Sequence, residues 1–426
     1  MHNLLITIAT FIIVFGILVI VHEFGHFYFA KKSGILVREF SIGMGPKILA
    51  FRKNNTSYTL RLLPVGGYVR MAGAQEDVDD LQPGKMVSLQ LNDDSQVVRI
   101  NASDKQMLFQ GIPVQVSKFD LVDELWIEGY ENADENQFKR FYVNHDATII
   151  EQDGIEVQIA PRDVHFESAK LWQRALVSFA GPLNNFILAV VVFALVGLLQ
   201  GGVPAQNNKL GVVSDNSVAQ KAGLKAGDQI LALDHKKVTD WTSMATKIQS
   251  SAGQKVAVTY KRGASVKTIT VVPKKVTVSG QTIGLIGVSY QIKYDLASRI
   301  MYGFTGTWAM IERIWHALAN LFTGGFTLNK LGGPVAIFAN TEQAAQNGVV
   351  SVLTFMAFLS VNLGIVNLLP IPALDGGKLL LNLVEAVRRK KLSEKSENAV
   401  QIAGFVFLML LMLAVTFNDI YRYFIK

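Results

Sequence analysis

The chain contains no cysteine and few charged residues. Of its 426 residues, 18% are charged and 50% are hydrophobic. Without cysteine there can be no disulfide and no cysteine-ligated zinc, so any bound metal must use His, Asp or Glu. The low charge and the positive mean hydropathy of +0.28 exclude an ordinary soluble enzyme. They indicate a membrane protein that carries soluble segments.

The charges that are present are distributed unevenly. The formal net charge is +7, but residues 76–167 contain 20 acidic and 7 basic residues, which leaves this segment at −13 and the remainder at +20. The basic residues flank the apolar runs, as expected for a protein beside anionic lipid. No basic patch with interleaved aromatic residues occurs in the sequence, so a nucleic-acid partner is not predicted.

The first apolar run, residues 4–21, is predicted to be a retained transmembrane helix. No Lys or Arg precedes it and no small-x-small cleavage site follows it, unlike in a signal peptide. Eighteen helical residues rise about 27 Å, which places His22 near one edge of the hydrocarbon layer. Lys31, Lys32 and Arg38 mark that edge as cytoplasmic, so the N-terminus is expected outside.

The whole chain is predicted to be a polytopic α-helical membrane protein. Four transmembrane helices are expected at residues 1–30, 175–199, 349–378 and 400–420, with the basic residues 388–391 inside and the C-terminus outside. Between them we expect a membrane-associated loop and β-hairpin at 31–75, an acidic cytoplasmic β-rich insertion at 76–168, a soluble extracytoplasmic domain at 207–290, and an amphipathic helix and loop at 298–345.

Three of these segments carry more detailed expectations. In 31–75, the glycines and proline of 40–46 (FSIGMGP) predict a loop, and 57–73 is predicted to be a hairpin that turns at 64–67. In 298–345, Phe304, Trp308, Ile311 and Trp315 form one apolar helical stripe, which could pack on a membrane surface or on another protein element. For the insertion, a solvated acidic surface and a partner site are both open.

The main chemical motif is His22-Glu-Phe-Gly-His26, directly after the first apolar run. Two histidines at i and i+4 can chelate a metal, and Glu23 between them is placed to deprotonate a water. Catalytic zinc needs a third protein ligand, and the predicted topology puts Asp375 at the same membrane depth. The alternatives are an interfacial polar cluster for the first motif and a turn residue before Gly-Gly for Asp375.

The depth of this site predicts a substrate that lies within the membrane. A helical substrate must unwind before its peptide bonds are accessible, and a strand edge in residues 59–71 could hold the unwound stretch by β-addition. Ordinary sheet formation is the alternative for that strand. Asn362 and Asn367 in the third span could bind the substrate main chain or the oxyanion, or could hydrogen-bond between helices. The amides in residues 179–186 (FAGPLNNF) need partners inside the protein.

With these motifs, the chain resembles the site-2 protease family of intramembrane zinc metalloproteases. HEFGH at 22–26 is similar to the family's HExxH, and NLLPIPALDG at 367–376 to its NxxPxPxLDG, which implies Zn²⁺ with Asp375 as the third ligand. Residues 222–231 (AGLKAGDQIL) and the Gly211-Val-Val stretch resemble a PDZ domain. Val218 and Asp234-His235 depart from the usual PDZ pattern.

The resemblance further implies the single-PDZ bacterial branch of the family. Such a protein would act in regulated intramembrane proteolysis at the bacterial plasma membrane, with its active site towards the cytoplasm. Its partners would be the lipid bilayer, single-span membrane proteins such as anti-sigma factors or remnant signal peptides, and an upstream site-1 protease. Two alternatives are a non-catalytic scaffold that binds exported protein tails through the PDZ-like domain, and a zinc peptidase that cuts soluble peptides.

Overall fold

A computed structural model of the protein describes residues 2–73, 81–103, 109–134, 136–152, 154, 156–205, 207–278, 281–323 and 331–422. The chain divides into two compact units, one of residues 1–189 and 313–426 and the other of residues 190–312. The predicted start of the acidic insertion at residue 76 lies outside the described residues.

The elements follow one another along the chain with two short 3₁₀ helices, Arg162–Val164 and Phe166–Ser168, before the second α-helix. In order they are α1 (His2–Lys32), β1 (Val37–Lys53), β2 (Thr56–Met71), β3 (Met86–Leu91), β4 (Val97–Asn101), β5 (Ile112–Asp120), β6 (Trp126–Glu131), β7 (Phe138–Ile150), β8 (Glu156–Gln158), α2 (Leu171–Gln200), β9 (Val203–Pro204), β10 (Leu210–Val213), α3 (Val218–Lys221), β11 (Gln229–Leu233), β12 (Lys236–Lys237), α4 (Trp241–Ser250), β13 (Val256–Arg262), β14 (Ser265–Val271), β15 (Lys274–Val278), β16 (Gln281–Leu285), β17 (Val288–Tyr290), β18 (Ile292–Lys293), α5 (Leu296–Thr323), α6 (Pro334–Gln346), α7 (Val349–Asn367), α8 (Asp375–Arg388) and α9 (Glu394–Ile420).

Four helices are long and apolar enough to cross a membrane. They cover Leu4–Lys32, Leu171–Gln200, Val349–Asn367 and Lys395–Ile420. They correspond to the four predicted spans, except that the third helix ends at Asn367 and does not run to residue 378, because Pro370 and Pro372 interrupt it. Helix α1 continues without a break through the HEFGH motif. The side of the membrane that each helix end faces stays a prediction.

The segment after α1 differs from the predicted loop and hairpin. Phe40 of β1 pairs with both Tyr58 and Val69 of β2, and its neighbours also pair on both sides, so the first half of β1 lies between the two halves of β2. The prediction of a loop at 40–46 was wrong because Gly43 and Gly45, each at φ +85°, bend the strand without ending it. The prediction that residues 57–73 pair with each other was also wrong, since both halves pair with β1 instead.

This arrangement has two edges, and one of them lies in β2. The end of β2, residues 67–71, pairs with β1 on one side, and no other strand in the described ranges pairs with its other side. The opposite edge is the end of β1, residues 47–53, which pairs with the first half of β2. The strand edge expected in 59–71 is therefore confined to its last residues.

The insertion is β-rich, as predicted. Its strands have the order β4-β3-β5-β6-β7-β8, and an additional parallel pairing of β4 with β7 closes five of them into a small barrel. Leu89, Ile100 and Ile127 are fully buried inside this barrel. The insertion therefore has its own hydrophobic core, which is what an independently folded segment requires.

The unit of residues 190–312 contains a second hydrophobic core. A four-stranded sheet of order β12-β11-β13-β14 packs with α4 around Leu210, Ile230 and Met244. On α5, Phe304 and Trp308 of the predicted apolar stripe are each 63% exposed. Both alternatives for that stripe, a membrane surface and another protein, therefore stay predictions.

One buried carboxylate connects the loop before β11 to the β13–β14 hairpin. Asp228 is 1% exposed and accepts hydrogen bonds from Arg262 Nε and Nη2, both at 2.7 Å, and from the Lys225 backbone N–H at 2.8 Å. Burial alone would raise the pKa of Asp228, but these hydrogen bonds hold it below its ordinary value.

We predict that Asp228→Asn loosens this hairpin in a pH-dependent manner. Because the pKa of Asp228 is lower in the folded state, its stabilising effect is present above the unfolded pKa of about 3.9 and is lost as pH falls through the folded value. We expect a loss of about 1–3 kcal/mol near pH 7, since Arg262 is partly exposed. Hydrogen exchange of residues 256–271 in the intact protein, compared with wild type at each pH, measures it. A difference that persists unchanged below pH 3 would contradict this assignment.

Candidate metal centre

Three buried side chains from two distant parts of the sequence converge on one point. His22 and His26 lie one turn apart on α1 and are each 8% exposed, and Asp375, the first residue of α8, is 9% exposed. The Nε2 atoms of the two histidines are 3.3 Å apart. The Oδ2 atom of Asp375 lies 3.3 Å from Nε2 of His22 and 3.4 Å from Nε2 of His26. The three ligand atoms therefore form a nearly equilateral triangle.

The dimensions of this triangle fit zinc. A tetrahedral zinc with bonds of 2.0–2.1 Å has ligand atoms about 3.3–3.4 Å apart, which matches all three separations. The Oδ2 atom of Asp375 is buried and has no hydrogen-bond partner among the described residues. A metal ion would satisfy this oxygen, and two imidazoles with one carboxylate are ligands that zinc accepts while keeping a fourth position open.

The two histidines have different partners at their other ring nitrogens. Nδ1 of His26 donates to the main-chain carbonyl of Val177 at 2.8 Å, which leaves its Nε2 lone pair directed into the triangle. Nδ1 of His22 lies 3.0 Å from the side-chain amide of Asn185 on α2. Both partners belong to α2, so this helix orients both imidazoles.

Two glycines allow α1 and α2 to approach closely at this point. A Cβ on Gly25, inside the HEFGH motif, would lie 2.4 Å from the carbonyl oxygen of Ala180. A Cβ on Gly181 would lie 2.3 Å from Nε2 of His26 and 2.8 Å from Cε1 of His22. Any side chain at either position would therefore push the helices apart or displace the imidazoles.

A break between two helices positions Asp375. Helix α7 ends at Asn367, and the following Pro370 and Pro372 cannot donate backbone hydrogen bonds to continue it. The chain then folds tightly onto the first turn of α8, where a Cβ on Gly376 would lie 2.2 Å from the carbonyl oxygen of Leu369. The sequence PxPxLDGG thus produces the turn that brings this carboxylate to the histidines.

A cavity of about 340 Å³ adjoins the triangle. Its lining includes the three ligand residues together with Glu23, Gly67, Tyr68, Val69, Ser178, Asn367 and Lys378. Of the other residues predicted for the site, Glu23 and Asn367 line this cavity, whereas Asn362 is not among its lining residues. The edge strand passes close to the predicted base, because a Cβ on Gly67 would lie 3.0 Å from Cγ of Glu23.

A polar network holds the edge strand against this cavity. The buried carboxylate of Glu39 on β1 accepts hydrogen bonds from Thr59 at 2.6 Å and Arg61 at 2.8 Å, and Arg61 also donates to the hydroxyl of Tyr68 at 2.6 Å. Burial raises the pKa of Glu39, but these hydrogen bonds more than offset it and hold the pKa below its ordinary value. The network connects both halves of β2 to β1.

The sequence analysis singled out residues 179–186 and 57–73, which contain Asn185, Gly181 and Tyr68, but it gave none of these three residues an individual role in this site. For Asn185 a signal existed, because an amide within an apolar span needs a protein partner. Neither Gly181 nor Tyr68 carries such a signal, since each depends on how closely two separate elements approach.

The chain is similar to known proteins over most of its length. A family model described as "Peptidase family M50" matches residues 10–411. A protein named "Probable protease eep" from Enterococcus faecalis is 52% identical over 420 residues, which cover 98% of this chain and 99% of that protein. A protein named "Putative zinc metalloprotease" from Streptococcus pneumoniae is 48% identical over 425 residues, which cover 98% of this chain and 99% of that protein. A solved PDZ domain of an SdrC-like protein from Listeria monocytogenes is 25% identical over 21% of this chain and 93% of its own, with a TM-score of 0.18.

We predict that Gly181→Ala abolishes metal binding. The added methyl group would occupy the space of the two imidazoles, so zinc content of the purified protein should fall from about one equivalent to less than a tenth. Gly16→Ala is the matched control, because a Cβ at this α1 glycine meets nothing within 4 Å. Elemental analysis after gel filtration measures both. Full zinc content in Gly181→Ala would contradict the packing described here.

Proposed function

We propose that this chain, which belongs to peptidase family M50, the site-2 proteases, hydrolyses peptide bonds within transmembrane segments of other membrane proteins. Its similarity to named proteases and zinc metalloproteases identifies it as a zinc metalloprotease. One observation carries this proposal. Two metal-ligand residues lie on the apolar helix Leu4–Lys32, and the third begins α8 after the short break that follows the apolar helix Val349–Asn367. A peptide bond that reaches this cavity therefore comes from within the bilayer or its edge.

The residues around the cavity have separate roles in the proposed reaction. His22, His26 and Asp375 would hold a zinc ion, which would supply Lewis-acid chemistry towards a water molecule and the scissile carbonyl. Glu23 faces the same cavity, and its carboxylate has no hydrogen bond or ion pair among the described residues. It accepts the proton of the attacking water and delivers it to the leaving amine.

The edge strand supplies the means of holding an unwound substrate. Residues 67–71 run past Glu23 with one side unpaired, and Gly67, Tyr68 and Val69 line the cavity. An extended substrate segment adds to this edge through main-chain hydrogen bonds, which replace those that it loses on leaving its own helix. Binding through the main chain also makes the site tolerant of many apolar side chains.

Asn367 is the better placed of the two candidate asparagines for substrate binding. It lines the cavity at the end of α7, where its amide donates to the substrate main chain or to the oxyanion that forms at the scissile carbonyl. Asn362 is not among the residues lining the cavity, so only Asn367 is proposed to bind the substrate.

The proposed setting is the plasma membrane of a bacterium. The basic residues after α1 and at 388–391 support a cytoplasmic location for the metal centre and extracytoplasmic termini. Substrates would be single-span proteins, such as anti-sigma factors first trimmed by a site-1 protease, or remnant signal peptides. The soluble domain at 207–290, for which the PDZ-like fold stays a prediction, would select among them. A non-catalytic scaffold has no use for Glu23 in this position.

We predict that Glu23→Gln retains zinc but cleaves a membrane-embedded substrate at least about 10³-fold more slowly, because the amide cannot accept the proton. Cleavage of a single-span substrate reconstituted in vesicles measures the rate, and elemental analysis measures zinc. Glu124→Gln on the exposed surface of the insertion is the control. Wild-type cleavage by Glu23→Gln would sink this mechanism, and wild-type protein without zinc and insensitive to chelator would favour the scaffold.

We further predict that a substrate can be trapped along the edge strand. Because the chain has no cysteine, Val69→Cys in the Glu23→Gln background introduces a single thiol. It should form a disulfide with a cysteine placed near the scissile bond of a substrate. Phe51→Cys is the matched control, since residue 51 lies on the opposite edge of the same sheet and is 64% exposed. Equal cross-linking at both positions would argue against β-addition at residues 67–71.

A further inference from the structure

The side chain of Asn185 occupies an unusual position beside the metal centre. It is fully buried, and its Nδ2 atom lies 3.0 Å from Nδ1 of His22. Its Oδ1 atom is also buried and has no hydrogen-bond partner among the described residues. Ser360 of α7 donates a 2.7 Å hydrogen bond to the Asn185 main-chain carbonyl, which fixes the backbone position of this residue.

In this orientation the amide donates to His22. Nδ1 is then the acceptor, and in the neutral imidazole the proton is on Nε2, within the triangle and 3.3 Å from the unpartnered Oδ2 of Asp375. This tautomer cannot bind zinc, since binding requires the lone pair of Nε2.

The opposite orientation of the same amide matches the metal-binding tautomer. A half-turn of the amide exchanges its oxygen and nitrogen, so that Oδ1 faces Nδ1 of His22 and accepts its proton. Nε2 then has a free lone pair for a metal. The partner of His26 lacks this ability, because the Val177 carbonyl can only accept, which keeps His26 in its metal-binding form throughout.

We propose that Asn185 is a positioning residue that sets the tautomer of His22: with its amide oxygen towards Nδ1 it holds the proton on that nitrogen and leaves the lone pair of Nε2 for the metal. An amide can do this because its oxygen accepts a hydrogen bond. A carboxylate also accepts from Nδ1, whereas an apolar residue does not. The proposal concerns metal binding alone and does not depend on what the protease cuts.

Zinc affinity of the purified protein, measured by competition with a chromophoric chelator, tests this proposal without any substrate. Asn185→Leu should bind zinc about 10–100-fold more weakly than wild type, as is usual when the hydrogen-bond partner of a ligand histidine is removed. Asn185→Asp should restore the affinity to within about threefold, because its carboxylate accepts from Nδ1. Asn184→Leu is the matched control, since this neighbouring amide donates to the main-chain carbonyl of Val21 at 3.0 Å and not to a ligand.

Unchanged zinc affinity in Asn185→Leu, or a loss in Asn185→Asp as large as that in Asn185→Leu, would overturn the positioning role.

Discussion

The close approach of α1 and α2 is the constraint on which the metal centre depends. Three ligand atoms must be held about 3.3–3.4 Å apart, a separation that zinc requires but that unpartnered polar atoms do not adopt by themselves. Here Gly25 meets the Ala180 carbonyl and Gly181 meets both imidazoles, so the backbone of α2 forms one wall of the site. Helix α2 also provides the hydrogen-bond partners of both histidines, which makes it the element that orients the ligands.

The other elements complete what these two helices begin. The break between α7 and α8 delivers Asp375 from the far end of the chain, and the folded-back β2 strand delivers an edge beside Glu23. Each contribution depends on a glycine at a close contact, such as Gly376 against Leu369 or Gly67 against Glu23. The site is therefore built from backbone proximity as much as from its polar side chains.

The sequence predicted those features that depend on local pattern. Apolar length placed the four spans, and histidine spacing together with membrane depth identified His22, His26 and Asp375 as one group, which the structure brings together. It did not predict that residues 40–46 form a strand, because the double pairing of Phe40 depends on long-range register. Gly181 was not predicted either, since its role follows from a distance between two helices.

The edge strand explains why a membrane protease has an exposed backbone at its active site. Unpaired N–H and C=O groups are costly in an apolar environment, so a free edge at bilayer depth needs a partner. In the function proposed above, a transmembrane substrate that unwinds near Glu23 would expose the same unsatisfied groups. Pairing the substrate with the edge strand would satisfy both sets of groups, so an apolar environment would favour the paired, extended segment over an unpaired one. A soluble peptide gains less from this pairing, because water already satisfies its backbone.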